Sequence, residues 1–248
     1  MLLPDSILSE FIDRIKGRLK IDGLLLSGSY AHGVPTEHSD LDVRVVLRNS
    51  DLTKERGIVS IEQRDVSYFA MSFIQYSQVM NEQFRKNSKF EARIIATSKI
   101  FYQKEGSDLT KAIINKAKNI IETPFPEPEL NTKIANLYAL RNHYKKVIQL
   151  KLSSALFNYN YFVFLHHLLS VYSLFSKNEH ILEDKLEAFF FSEAFRKTHL
   201  MDDLPHDNFK KLFVNASQHI DKDNLEPLMQ FMSETFDDAN PAEFTINS

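Results

Sequence analysis

The 248-residue chain has no cysteine. That excludes disulfides, thiolate zinc sites and a cysteine nucleophile, and it fits a reducing compartment such as the cytoplasm. It also lacks a basic surplus: 30 lysines and arginines face 33 aspartates and glutamates, for a net charge of −3. A protein that tracks a long polyanion carries the opposite balance, so a long nucleic-acid partner is disfavoured. No secretory leader is visible, because Met1-Leu2-Leu3-Pro4-Asp5 has no basic start and the next stretch is charged. The longest run without formal charge lies between Lys151 and Lys177, but it contains Asn158, Asn160, His166 and His167. It reads as a buried bundle helix, not a membrane span. Glycine is scarce and unevenly spread. All six glycines fall in the first 106 residues, leaving the rest of the chain with none.

That distribution divides the molecule. Glycine serves tight turns and left-handed backbone, so an early mixed α/β region precedes a helical one. Pro124, Pro126 and Pro128 alternate between them and favour an extended linker. The expected boundaries are 1–122 for an α/β domain with a small mixed sheet, 123–128 for the linker, 129–236 for an all-α helical bundle, and 237–248 for a polar tail. In the first region, Ile7, Leu8, Phe11, Ile12, Ile15 and Leu19 space out a helix over about 5–19. Short strands are expected at Leu24–Leu26 and Leu41–Leu47. Ile58–Ile61 and Arg64–Phe69 form a hairpin or one bent strand, and a helix follows from Ser72 to Phe84. Of the apolar runs 93–96 and 99–102, at least one is a strand, and a further helix runs from 107 or 108 to about 121. In the second region, apolar spacings of three and four predict helices at 130–150, 155–175, about 182–197, 209–219 and 225–236.

The chemistry concentrates in Leu24–Val46. A buried strand ends at Ser27-Gly28-Ser29, where Gly28 admits close backbone approach and the amides and Ser29 hydroxyl can face a phosphate. The chain returns through Ser39 to Asp40-Leu41-Asp42. Two carboxylates two residues apart on a strand project from one face. They repel, and a hard divalent cation such as Mg²⁺ relieves the repulsion while leaving room for substrate phosphates.

Gly28-Ser29, about ten residues, then Asp40-Leu41-Asp42 resembles the signature of the polymerase-β-type nucleotidyltransferase superfamily. The resemblance implies a two-metal Mg²⁺ site with Asp40 and Asp42 as ligands, a third carboxylate at Asp65 in Arg64-Asp65-Val66 (Glu62 being the alternative), and phosphate contacts from Gly28, Ser29 and Ser39. The donor would be a nucleoside triphosphate, ATP by the same resemblance, and the acceptor a hydroxyl. An α/β domain followed by a helical bundle is similar to the kanamycin nucleotidyltransferase kind, whose members modify antibiotics and can dimerise. Those relatives carry an acid and a lysine one turn apart on the first bundle helix. Here Arg141 can supply the cation and a triphosphate contact, but no acid stands one turn before it. Two other readings compete: a protein AMP-transferase of antitoxin type, and a non-catalytic nucleotide- or partner-binding module. A fused helical ribonuclease is unsupported, because neither Arg141-His143 nor Arg196-His199 has the required four to six intervening residues.

Overall fold

The computed structural model describes residues 4–48 and 53–236. The tail expected at 237–248 lies outside the described residues. The chain divides into two compact units. One runs to Thr123 and takes in Lys197–Met201; the other comprises Pro124–Arg196 and the residues from Asp202 on.

The first unit is built on a five-stranded mixed sheet of order β3-β4-β2-β1-β5. The strands are β1 Ile21–Ser27, β2 Leu41–Leu47, β3 Glu55–Ile61, β4 Arg64–Ser72 and β5 Lys99–Gln103. β2 and β4 run parallel and the other neighbours antiparallel. The central strands β1 and β2 read as nearly unbroken apolar runs because both sheet faces are covered. On one face, Ile7, Leu8, Phe11 and Ile15 of helix α1 (Pro4–Ile15) meet Leu24, Leu26, Val43 and Val45. On the other, Leu25, Val46 and Met71 pack against α3 (Phe73–Arg85), α4 (Phe90–Ala96) and α5 (Leu109–Glu122). α3 begins in a capping box: the Ser72 hydroxyl accepts from Gln75 N, and the Gln75 side chain accepts from Ser72 N.

Three elements refine the expectations. The stretch after β1, for which no element was expected, contains a short helix α2 (Gly28–His32), which ends at Gly33 in the left-handed region. The run 93–96 belongs to helix α4, so the strand of that pair is β5. β3 and β4 form a hairpin, and its turn residues Glu62 and Gln63 both have positive φ.

The second unit is helical: α6 (Leu130–Gln149), α7 (Phe157–Phe175), α8 (Leu186–Phe191), α9 (Glu193–Thr198, whose end passes into the first unit), α10 (Asp207–Gln218) and α11 (Glu226–Thr235). The single helix expected over 182–197 is broken into a 3₁₀ turn, α8 and α9. Its core is aromatic. Tyr172 stacks on Phe209 at 3.6 Å and Phe190 lies parallel to Phe213 at 5.4 Å. Buried phenols keep their hydrogen bonds, Tyr161 donating to Ala216 O at 2.9 Å and Tyr172 meeting His206 Nδ1 at 2.9 Å. The proline segment is pinned by Glu127, which pairs with Lys133 at 2.6 Å and Lys177 at 3.0 Å. The charge-free run becomes α7, and among the described residues no helix is long and apolar enough to cross a membrane.

Candidate active site

The end of β1 and the starts of β2 and β4 meet at one edge of the sheet. Ser27 pairs with Asp42 across the antiparallel β1–β2 ladder, and the buried Ser27 hydroxyl donates to Asp42 O at 3.0 Å. The chain must turn at once into α2, and Gly28 makes the turn at φ +65°. A β-carbon there would stand 3.2 Å from Asp42 Cγ and closer still to Oδ2. The glycine therefore does two things: it accepts left-handed backbone, and it leaves room for the Asp42 carboxylate against the main chain.

Register places the other acids. The parallel β2–β4 ladder opens with Leu41 opposite Val66 and Asp42 opposite Ser67. Asp40 and Asp65 each stand one residue ahead of that first pair, at the same end of the two strands. Alternation puts Asp65 and Ser67 on the sheet face that Asp42 uses, since Leu41, Val43 and Val66 fill the opposite core. Asp42 is half-buried, while Asp40 and Asp65 are exposed. Glu62 is exposed in the hairpin turn, just past the last pair of the β3–β4 ladder in which Asp65 stands opposite Ser60.

The connecting loop is tied down over residues 36–39. Ser39 closes a turn with Thr36: its Oγ accepts from Thr36 N at 2.8 Å, and Ser39 N donates to Thr36 O at 3.2 Å. Arg64, the neighbour of Asp65, donates to Glu37 O at 2.8 Å. Ser29 is half-buried in α2, and its hydroxyl makes no hydrogen bond among the described residues. Arg141 belongs to α6 of the second unit, where it donates to Ser233 Oγ at 3.4 Å.

Two supports were not foreseen from the sequence. Arg44, two residues beyond Asp42 on the same strand face, is buried and donates to Glu91 of α4 from Nε at 2.6 Å and Nη2 at 3.2 Å. Burial works against the Arg44 charge, but Glu91 outweighs it, and the guanidinium stays firmly protonated above its ordinary value. The Phe69 ring lies 4.6 Å from Arg44 Cζ. The second support is the short segment Lys197–Met201. Arg93 of α4 donates to His199 O at 2.6 Å and to Leu200 O. The His199 ring meets the His32 ring of α2 edge-on at 4.9 Å. Burial, then His199 and Lys99, push the His32 imidazole below its ordinary pKa. Arg44 was visible as a charge in an apolar strand, but nothing in the sequence pointed to a partner 47 residues away.

The donor chemistry at this edge suits a hard dication: carboxylate oxygens on one face, beside a cradle that a β-carbon would fill. Among the described residues, no three His, Asp or Glu side chains are drawn close enough to share an ion.

Comparison with known proteins bears on the same region. Residues 8–102 match the family model described as a nucleotidyltransferase domain, a span that includes every strand of the sheet up to Tyr102. No curated protein matches the chain. Among solved structures, a nucleotidyltransferase-like protein from Exiguobacterium sibiricum is similar at 14% identity and a TM-score of 0.42, covering 93% of this chain and 77% of its own. That likeness is too slight to build on. The family match falls on the sheet edge where Gly28, Asp40, Asp42 and Asp65 gather, and over residues 8–102 this chain carries a nucleotidyltransferase domain of the polymerase-β type, the domain of a transferase enzyme.

Proposed function

We propose that the protein transfers a nucleoside monophosphate, AMP from ATP, to a hydroxyl of a small-molecule acceptor in the cytoplasm, with release of pyrophosphate. The observation that carries this reading is the packing of Gly28 against Asp42 at the edge that also bears Asp40 and Asp65. In this reading Asp40 and Asp42, with Asp65 from the neighbouring strand, would hold Mg²⁺ once the triphosphate's own oxygens complete its coordination, and the ion would supply charge neutralisation of the phosphates. The Gly28 and Ser29 amides and the free Ser29 hydroxyl hold the β- and γ-phosphates. Ser39 Oγ accepts from Thr36 N and shares a second hydrogen bond with Thr36 Oγ1 at 3.1 Å, so a phosphate contact from Ser39 requires its hydroxyl to turn away from Thr36. If Asp65 serves as general base instead of metal ligand, its carboxylate oxygen receives the acceptor's proton as the acceptor oxygen bonds the α-phosphate and the bond from that phosphate to the pyrophosphate breaks, a contribution of about 10²–10⁴ in rate. Arg141 is assigned a triphosphate contact on the strength of the resemblance.

An aminoglycoside-like antibiotic is the acceptor by the same resemblance. One feature favours an alternative. The residues one turn before Arg141 on α6 are Leu137 and Tyr138, so the acid that activates a drug hydroxyl in such relatives has no counterpart. A protein side chain as AMP acceptor, as in antitoxin-type members, suits that absence.

The test is a thermal-shift titration with the four ribonucleoside triphosphates, with and without Mg²⁺, on wild type and Asp42→Asn. A ligand that binds only the native state raises the midpoint by mass action, about 2.7 kcal/mol at a hundredfold excess over Kd. A Mg²⁺-dependent rise for ATP, lost in Asp42→Asn, is the expected result. No rise with any triphosphate would overturn the reading in favour of a non-catalytic module.

A further inference from the structure

We propose that the helical unit contains a second ligand site, an apolar pocket that takes a small amphiphilic cation: an aromatic or aliphatic body carrying one ammonium or amidinium group. The pocket encloses about 390 Å³ between α7, α8 and α10. That volume falls at the lower end of the range for small-molecule sites, which are concave and mostly apolar with a few placed polar groups. Its walls include Phe162, Phe190 and Phe213. Phe162 is 45% exposed and Phe191, also in the lining, 60% exposed. Aromatic side chains left this open to water gain by being covered, at roughly 25 cal/mol per Å² of apolar area.

Charge selects the occupant. Glu183 and Glu187 line the pocket, one turn apart, and no lysine or arginine does. Glu183 is partly engaged, with Oε1 3.0 Å from His166 Nδ1. Glu187 is exposed and has no ion-pair partner among the described residues. An anion entering beside two carboxylates meets repulsion. A neutral apolar molecule gains nothing from them, whereas a cation is attracted to both, competes with His166 for Glu183 and can also lie over a ring face. All of these residues belong to the helical unit, so the site stands independently of the nucleotidyl-transfer reading.

The experiment compares three probes of one shape, 3-phenylpropylammonium, 3-phenylpropanol and 3-phenylpropionate, by calorimetry on the full chain. The ammonium is expected to bind, the alcohol about five- to tenfold more weakly, and the carboxylate more weakly still. The double variant Glu183→Gln/Glu187→Gln, on exposed positions that leave the fold intact, should bring the ammonium down to the level of the alcohol. Val214→Phe, which fills the pocket from a partly exposed wall, should abolish binding of all three with the circular dichroism spectrum unchanged. Equal affinity for the three probes, or no binding of the ammonium, would overturn the proposal. So would a concentration-dependent dimer that dissociates in Phe191→Ser, because the aromatic face would then belong to an interface between copies.

Discussion

Gly28 and Gly33 bound the same five-residue helix, both with left-handed backbone, yet they face different surroundings. A β-carbon at Gly33 meets nothing within 4 Å, while one at Gly28 runs into the Asp42 carboxylate. Each substitution to alanine carries a backbone cost of about 1–2 kcal/mol. Only Gly28→Ala also displaces Asp42. Urea titrations should therefore show similar losses for the backbone component, with Gly28→Ala the more destabilised, and turnover should collapse in Gly28→Ala alone. Comparable activity in the two variants would detach Gly28 from the site. This pair of positions also marks what a sequence can convey about a residue. Gly28, Asp40 and Asp42 were legible because their spacing along the chain fixes their spacing in the fold. Asp65 was legible only as a carboxylate on a neighbouring strand, since its place depends on the β2–β4 register. The braces Arg44–Glu91 and Arg93–His199 were not, because the contacts join residues 47 and 106 apart.

At the scale of elements, the Arg44–Glu91 pair joins β2 to α4 beneath the candidate site, with both side chains nearly dry at 5% and 7% exposure. Removing one partner leaves a buried charge without compensation. Glu91→Ala should cost about 3–5 kcal/mol, whereas Arg44→Met/Glu91→Leu should return near wild-type stability, as replaced buried pairs commonly do. Denaturant midpoints decide the matter, and an unaffected Glu91→Ala would show the pair to be solvated. The histidines give the elements a pH dependence. His143 of α6 and His167 of α7 approach Nδ1 to Nδ1 at 3.1 Å. Burial, then Lys146, lowers the His143 pKa, while burial, then His143 and His166, lowers that of His167. As pH falls through the ordinary histidine range, the unfolded chain takes up protons that the folded one refuses, so stability must fall. The thermal midpoint should drop between pH 7.5 and 5.5, and by less in His167→Gln; a midpoint that stays level in wild type would contradict the assignment. Element type was readable wherever apolar spacing ran long, as in α1, α3, α6 and α7. It failed at α2 and α4, which are too short for a period to show, and at 182–197, where apolar spacing continued across breaks set by tertiary packing.

At the scale of the whole molecule, glycine usage marked the change from a sheet-based region to a helical one, because turns and left-handed residues concentrate around the strands. The segment Lys197–Met201 escaped that reading. It lies in the glycine-free half of the sequence yet packs within the first unit, where Arg93 holds its carbonyls and His199 meets His32. We propose that the sheet edge bearing Gly28, Asp40, Asp42 and Asp65 transfers a nucleotidyl group. The measurement that tests it most directly follows the α-phosphate. The full chain is incubated with Mg²⁺ and ATP labelled at the α-position, together with a panel of hydroxyl acceptors including aminoglycosides and the protein itself. Wild type should place the label on an acceptor and release unlabelled pyrophosphate, and Asp42→Asn should lower that rate at least a hundredfold while remaining folded. Label transfer that persists undiminished in folded Asp42→Asn would contradict the account.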